Sequence, residues 1–162
     1  MRQYALRGSL VWLMAGLVSV PAMRPAAAQA KDPFLGNWLL DSDHSTFVPG
    51  PAPEDRTMTL EEKDGALHHI TRTRNLFLGG TDDIEYTAKF DGKDYPITGT
   101  GLDTVSLKRT GARTIERTGK VRGKATEGCT MEVSADGKVL TLTIKGSYNG
   151  TDYSSKQIFT RQ

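Results

Sequence analysis

A two-residue hydrophobic period, interrupted by tight-turn dipeptides, governs what this chain can fold into. Ile84, Tyr86, Ala88 and Phe90 alternate with Asp83, Glu85, Thr87 and Lys89; Leu140, Leu142 and Ile144 alternate with Val139, Thr141, Thr143 and Lys145. Side chains on a strand point alternately to its two faces, so each run reads as a half-buried strand. Asp64-Gly65, Asp91-Gly92, Asp136-Gly137 and Asn149-Gly150 punctuate these runs, and such dipeptides tolerate the positive φ of hairpin turns. Gly79-Gly80, Gly99-Thr100-Gly101, Gly111 and Gly119 add bends. No helix-length stretch of the chain beyond residue 30 carries a convincing helical stripe. The pattern predicts an all-β antiparallel meander of about eight to ten short strands, and closure into an up-and-down β-barrel removes the bare edges that a flat meander would leave.

The first thirty residues follow a different logic. Arg2 and Arg7 lead into an apolar run, Ser9 to Val20, which Pro21 breaks before small residues ending in Ala28-Gln29-Ala30. That order is the signature of a secretory signal peptide. The run is shorter than the roughly 20 apolar residues a spanning helix needs. Cleavage after Ala30 is expected, with Ala28 as the weaker alternative, leaving residues 31–162 as a single domain in the periplasm or outside the cell. The chain has 21 Lys and Arg against 19 Asp and Glu, but Arg2, Arg7 and Arg24 belong to the leader, which has no acid. The remainder is close to neutral and lacks the positive excess that non-specific nucleic-acid or anionic-membrane binding requires. Cys129 is the only cysteine, so no intrachain disulfide can form, and it reads as a small apolar residue on the strand leading to Met131 and Val133.

The segment Val48-Pro49-Gly50-Pro51-Ala52-Pro53 has too many prolines for a paired strand or a helix. It is expected to be a surface crossing between a first strand near Gly36 to Asp41 and a second near Arg56 to Glu62, placed where it can cover one barrel end.

Phe34-Leu35-Gly36-Asn37-Trp38-Leu39-Leu40 puts a Gly-x-Trp on the first strand of a meander of this length. It resembles the opening of the calycins, the lipocalin and fatty-acid-binding-protein superfamily. With Phe90-Asp91-Gly92-Lys93, Ser106-Leu107-Lys108-Arg109, Ser134-Ala135-Asp136-Gly137-Lys138 and a closing Ile158-Phe159-Thr160-Arg161, the chain is similar to a family of small exported bacterial lipocalin-like proteins, mostly of unknown function. The resemblance implies a barrel with Trp38 plugging its closed end and a ligand in its mouth. Two features depart from the fatty-acid-binding pattern. The last-strand Arg-x-Tyr that holds a carboxylate is here Gln157-Ile158-Phe159, and the helix pair after the first strand is replaced by the short, Pro-rich His44 to Asp55.

Few motifs in the chain point to chemistry. Gly119-Lys120-Val121-Arg122-Gly123-Lys124-Ala125 has the wrong spacing for a phosphate loop and ends in Ala where a magnesium-binding hydroxyl is needed. Asp41-Ser42-Asp43 opens like a calcium loop, but Thr46 and Ala52 stand where Gly and Glu belong. His68 and His69, being adjacent on a strand, point to opposite faces and cannot share a metal. Asp82-Asp83 reads as part of a solvated turn, and Asn149-Gly150-Thr151, a formal glycan acceptor, is explained by its turn. No catalytic constellation, metal site or cofactor is expected.

One electrostatic feature stands out: Lys108, Arg109, Arg113, Arg117, Lys120, Arg122 and Lys124 face only Glu116 within their span. They read either as a solvated flank or, where Arg113 and Arg117 share the inward face of Ile115, as cations aimed into the barrel. A buried arginine is costly unless paired, and an anionic ligand group would pair it. The expectation is therefore a non-enzymatic barrel holding a small hydrophobic or amphipathic molecule, lined by Met58, Tyr86, Phe90, Arg113, Ile115 and Arg117. The alternative is a closed barrel filled by its own side chains that serves as a structural or protein-interaction module. Cavity volume separates the two.

Overall fold

The computed structural model describes residues 31–75 and 80–162; the expected signal peptide over residues 1–30 lies outside the described residues. Eleven strands follow in order: β1 (Gly36–Leu40), β2 (Thr46–Val48), β3 (Asp55–Lys63), β4 (Ala66–Asn75), β5 (Gly80–Ala88), β6 (Tyr95–Thr98), β7 (Thr104–Gly111), β8 (Thr114–Val121), β9 (Lys124–Val133), β10 (Val139–Tyr148) and β11 (Thr151–Arg161). From β3 to β11 each pairs antiparallel with its successor, β1 pairs with β3, and β1 also pairs with β11 to close the ring. The result is a closed antiparallel barrel of ten strands, with no helix among the described residues. The eleventh strand, β2, adds to β11 outside the ring through Thr46↔Lys156, Phe47↔Ser155 and Val48↔Ser154.

The turns explain much of this order. Asp64-Gly65 and Asn149-Gly150 make the two-residue hairpins between β3 and β4 and between β10 and β11, with positive φ at both residues. Asp136-Gly137 and Asp91-Gly92 lie in longer loops, and the former is organised by the Ser134 hydroxyl, which donates to the Asp136 carboxylate. Arg122-Gly123 forms a third positive-φ hairpin, which the sequence does not advertise. There the Asp103 carboxylate accepts the Arg122 amide N–H. The Pro-rich crossing also needs a correction. Its leading residue, Val48, pairs with β11, and only from Pro49 onward is the segment unpaired.

The barrel is closed at one end by stacked aromatic and cationic groups. Trp38 is 1% exposed, and its indole Nε1 donates to the Phe34 carbonyl at 3.0 Å. The Arg161 guanidinium lies 4.1 Å over the Trp38 ring, an attractive contact between a cation and a π face. It also donates to the carbonyls of Leu35 at 2.7 Å, Gly137 at 2.6 Å and Pro33. One side chain thus ties the segment before β1, the β9–β10 turn and the last strand together. Nearby, Arg109 stacks on Phe34 and Phe90 and pairs with Asp32. Leu107, Ile115, Leu140 and Phe159, all fully buried, fill the space above.

Gly36 is dictated by this clamp. Its φ is +139°, and a Cβ there would stand 2.6 Å from Arg161 Nη1. Gly36→Ala is expected to cost about 1–3 kcal/mol, since it combines an unfavourable backbone region with displacement of the guanidinium. Urea unfolding followed by Trp38 fluorescence checks this; an unchanged midpoint would show that the clamp does not hold the barrel.

Candidate functional site

The opposite half of the barrel is not filled. It encloses a cavity of about 270 Å³, just below the roughly 300–1,000 Å³ of typical ligand pockets. Met58 of β3, Ile84 of β5, and Leu142 and Ile144 of β10 make apolar walls, while Phe47, Val48 and Pro49 of the crossing form a cover.

Polar groups converge on this space from three sides. Arg117 on β8 is buried and opposes Cys129 on β9. The next inward position of β9 is Glu127, whose carboxylate pairs with the Arg117 guanidinium and accepts the Tyr153 hydroxyl at 2.7 Å. Burial works against the charge of Arg117, but its surroundings more than offset this and raise its pKa. Burial also pushes the Tyr86 phenol up to about 12 and the Cys129 thiol up to about 11. Both are therefore neutral near pH 7, and Glu127 is the charge that balances the arginine. Across the cavity, Arg56 donates to Thr73 Oγ1 and Gln157 Oε1, each at 2.9 Å, and lies 5.5 Å over the Phe47 ring. Gln157 in turn donates to Ser155 at 2.9 Å.

His69 lies between these groups and the apolar core. Its ring stacks on Tyr86 at 4.5 Å and its Nε2 shares a hydrogen bond with the Thr71 hydroxyl at 2.7 Å. Burial, reinforced by the Arg117 charge, lowers its pKa to about 3, so the imidazole is neutral. A protonated buried thiol is a poor nucleophile. The arrangement is suited to holding a molecule by shape and hydrogen bonds.

The structure distributes the six sequence-selected residues unevenly. Met58 and Arg117 line the cavity. Tyr86 is buried behind His69. Ile115 faces inward but sits in the packed half, fully buried, and Phe90 lies past the end of β5 under Arg109. Arg113 is exposed, because Ala112-Arg113 form the β7–β8 turn and strand alternation begins only at Thr114. The expected anionic partner for Arg117 also needs correcting, since the chain supplies its own in Glu127. Sequence reading missed Glu127, Arg56, His69 and Tyr153 as members of the site. For Glu127 a signal existed: Cys129, Met131 and Val133 share its parity and are all buried.

No protein-family model matches the sequence, and no curated protein is similar to it in sequence. Among solved structures the chain is similar to zebrafish ileal bile acid-binding protein complexed with cholic acid, with a TM-score of 0.52 and 11% identity, over 80% of this chain and 99% of that one. The fold is thus the lipocalin and fatty-acid-binding-protein type of barrel.

The neutral His69 gives the barrel a specific acid sensitivity. The unfolded chain takes up this proton near pH 6.5 and the folded chain only near pH 3. The stability tied to a neutral His69 is therefore fully present above about pH 7 and falls as pH drops from 6.5 toward 3. Between pH 7 and pH 5 the loss should be about 2 kcal/mol. In His69→Gln, urea unfolding at the two pH values should show that much less loss; an identical loss would mean that His69 is protonated in the folded barrel.

Proposed function

We propose that this protein is an exported carrier or sensor that holds one small, mostly apolar molecule in the open half of its barrel. The cavity of about 270 Å³ carries the reading, because it joins apolar walls to a few convergent polar groups, the usual make-up of a small-molecule site. The apolar body of the ligand lies against Met58, Ile84, Leu142 and Ile144. Its polar end, an anionic head group or a neutral acceptor, meets Arg56, while the Arg117–Glu127–Tyr153 cluster, its charge already balanced, offers hydrogen bonds only. The zebrafish structural neighbour, complexed with cholic acid, supports a ligand in a barrel of this shape. Binding rather than catalysis is favoured by a cluster whose charges are already balanced and whose thiol and phenol stay protonated. Export is supported by the leader's Arg2, Arg7, apolar run and Ala28-Gln29-Ala30.

Native mass spectrometry of protein purified from cells expressing the full chain should detect a bound small molecule, and Met58→Trp, which fills the cavity, should lose it. Wild-type protein that carries nothing and takes up no apolar fluorophore such as N-phenylnaphthylamine would favour the closed interaction module instead. The same purification tests export: the periplasmic product should begin at Lys31, or at Gln29 from the weaker cleavage site. Recovery of the intact chain in the membrane pellet would overturn export.

A further inference from the structure

The inward face of β10 does not end at the barrel rim. Leu140, Leu142, Ile144, Gly146 and Tyr148 share one parity, and the first three are buried. Tyr148 continues that series yet is 55% exposed. An exposed aromatic on the outward face would be unremarkable, but this one belongs to the inward row and stands above the mouth. Beside it lies a groove of about 530 Å³ lined by Thr100, Gly101, Leu102, Glu127, Tyr148 and Tyr153. Thr100, Leu102, Glu127 and Tyr153 also line the inner cavity. The two spaces therefore share a wall, in which Tyr153 is the largest side chain.

Two glycines shape this arrangement. Gly146 opposes Tyr153 across the β10–β11 ladder, and a Cβ there would stand 2.5 Å from the Tyr153 hydroxyl. A Cβ on Gly101 would stand 2.8 Å from Tyr148 Cε2. Both rings thus lie against bare backbone. The Tyr153 hydroxyl is tethered to Glu127 at 2.7 Å, and Glu127 already has Arg117 as its charge partner.

We propose that the outer groove is a second ligand subsite, with the Tyr148 ring as its stacking wall and Tyr153 as a hinged partition between it and the inner cavity. Resting on the binding function above, this specifies the ligand class: an elongated molecule whose apolar body occupies the inner cavity and whose flat ring lies against Tyr148. A tyrosine ring presents a π face to such a group. Rotation of Tyr153 exchanges one hydrogen bond to Glu127 for continuity between the two spaces.

The test uses two probes with protein purified from cells expressing the full chain. Hexanol reports on the inner cavity alone; N-phenylnaphthylamine carries two aromatic groups, one of which, on this proposal, reaches the outer groove. Tyr148→Ala, a change at an exposed position, should weaken N-phenylnaphthylamine by about threefold to tenfold while hexanol affinity stays within about twofold. Tyr153→Phe, which keeps the ring and frees it from Glu127, should speed N-phenylnaphthylamine association more than hexanol association. If both probes bind wild type and Tyr148→Ala changes neither, the outer subsite is overturned while the inner cavity stands. If Tyr153→Phe speeds the two probes equally, the partition is overturned. If neither probe binds wild type, the binding function itself fails, and this inference with it.

Discussion

Ring closure between β1 and β11 is the constraint on which everything else rests. β1 is five residues long and meets β11 at Trp38, Leu39 and Leu40, a short seam for a ten-stranded barrel. Left open, it would expose two strand edges and admit water to the core. The seam is reinforced by what stands across it: Arg161, opposite Trp38 in the ladder, folds over the indole and ties down three carbonyls. A guanidinium can do this because its planar fork donates in several directions while its face covers an aromatic ring. Closure in this register fixes which residue of every following strand points inward, and so it sets the lining of the cavity at the far end.

The barrel interior is consequently two materials. Around Trp38 it is an ordinary packed core. Toward the mouth it contains two arginines, a carboxylate, a histidine and a glutamine, each of which costs free energy to remove from water. Three different devices limit that cost. Arg117 and Glu127 neutralise each other, His69 stays uncharged, and Gln157 and Arg56 satisfy each other by hydrogen bonding. The polar lining is thus balanced by its own partners, with no net charge left on the Arg117–Glu127 pair.

Much of the fold was legible because alternation and turn chemistry are local. Asp64-Gly65 and Asn149-Gly150 name their hairpins, and the Gly-x-Trp marks the strand that closes the ring. The site was less legible because alternation reveals which face a residue takes but not its depth along the barrel. Ile115 and Arg117 share a face, yet two residues of rise, about 7 Å, separate packed core from cavity wall. Depth depends on the register of strands distant in sequence, as where Arg56 on β3 meets Gln157 on β11. Arg113 failed for a local reason: parity was carried across a turn, where it has no meaning. Glu127 was overlooked because the start of its strand, Lys124-Ala125-Thr126, reads as polar loop until the pairing with β8 is known.

The two ends also differ in how firmly they are held. At the Trp38 end, opening requires breaking the clamp together with aromatic packing that is fully buried. At the mouth, the cover is β2, which touches the barrel through three ladder positions, whereas β10 and β11 share ten. Val48 is 61% exposed and contributes little buried area; Phe47, against Arg56, is the main anchor of β2. Local opening is cheapest where few buried contacts are lost. The cover over the cavity and the seam that closes the ring are therefore built by separate parts of the chain.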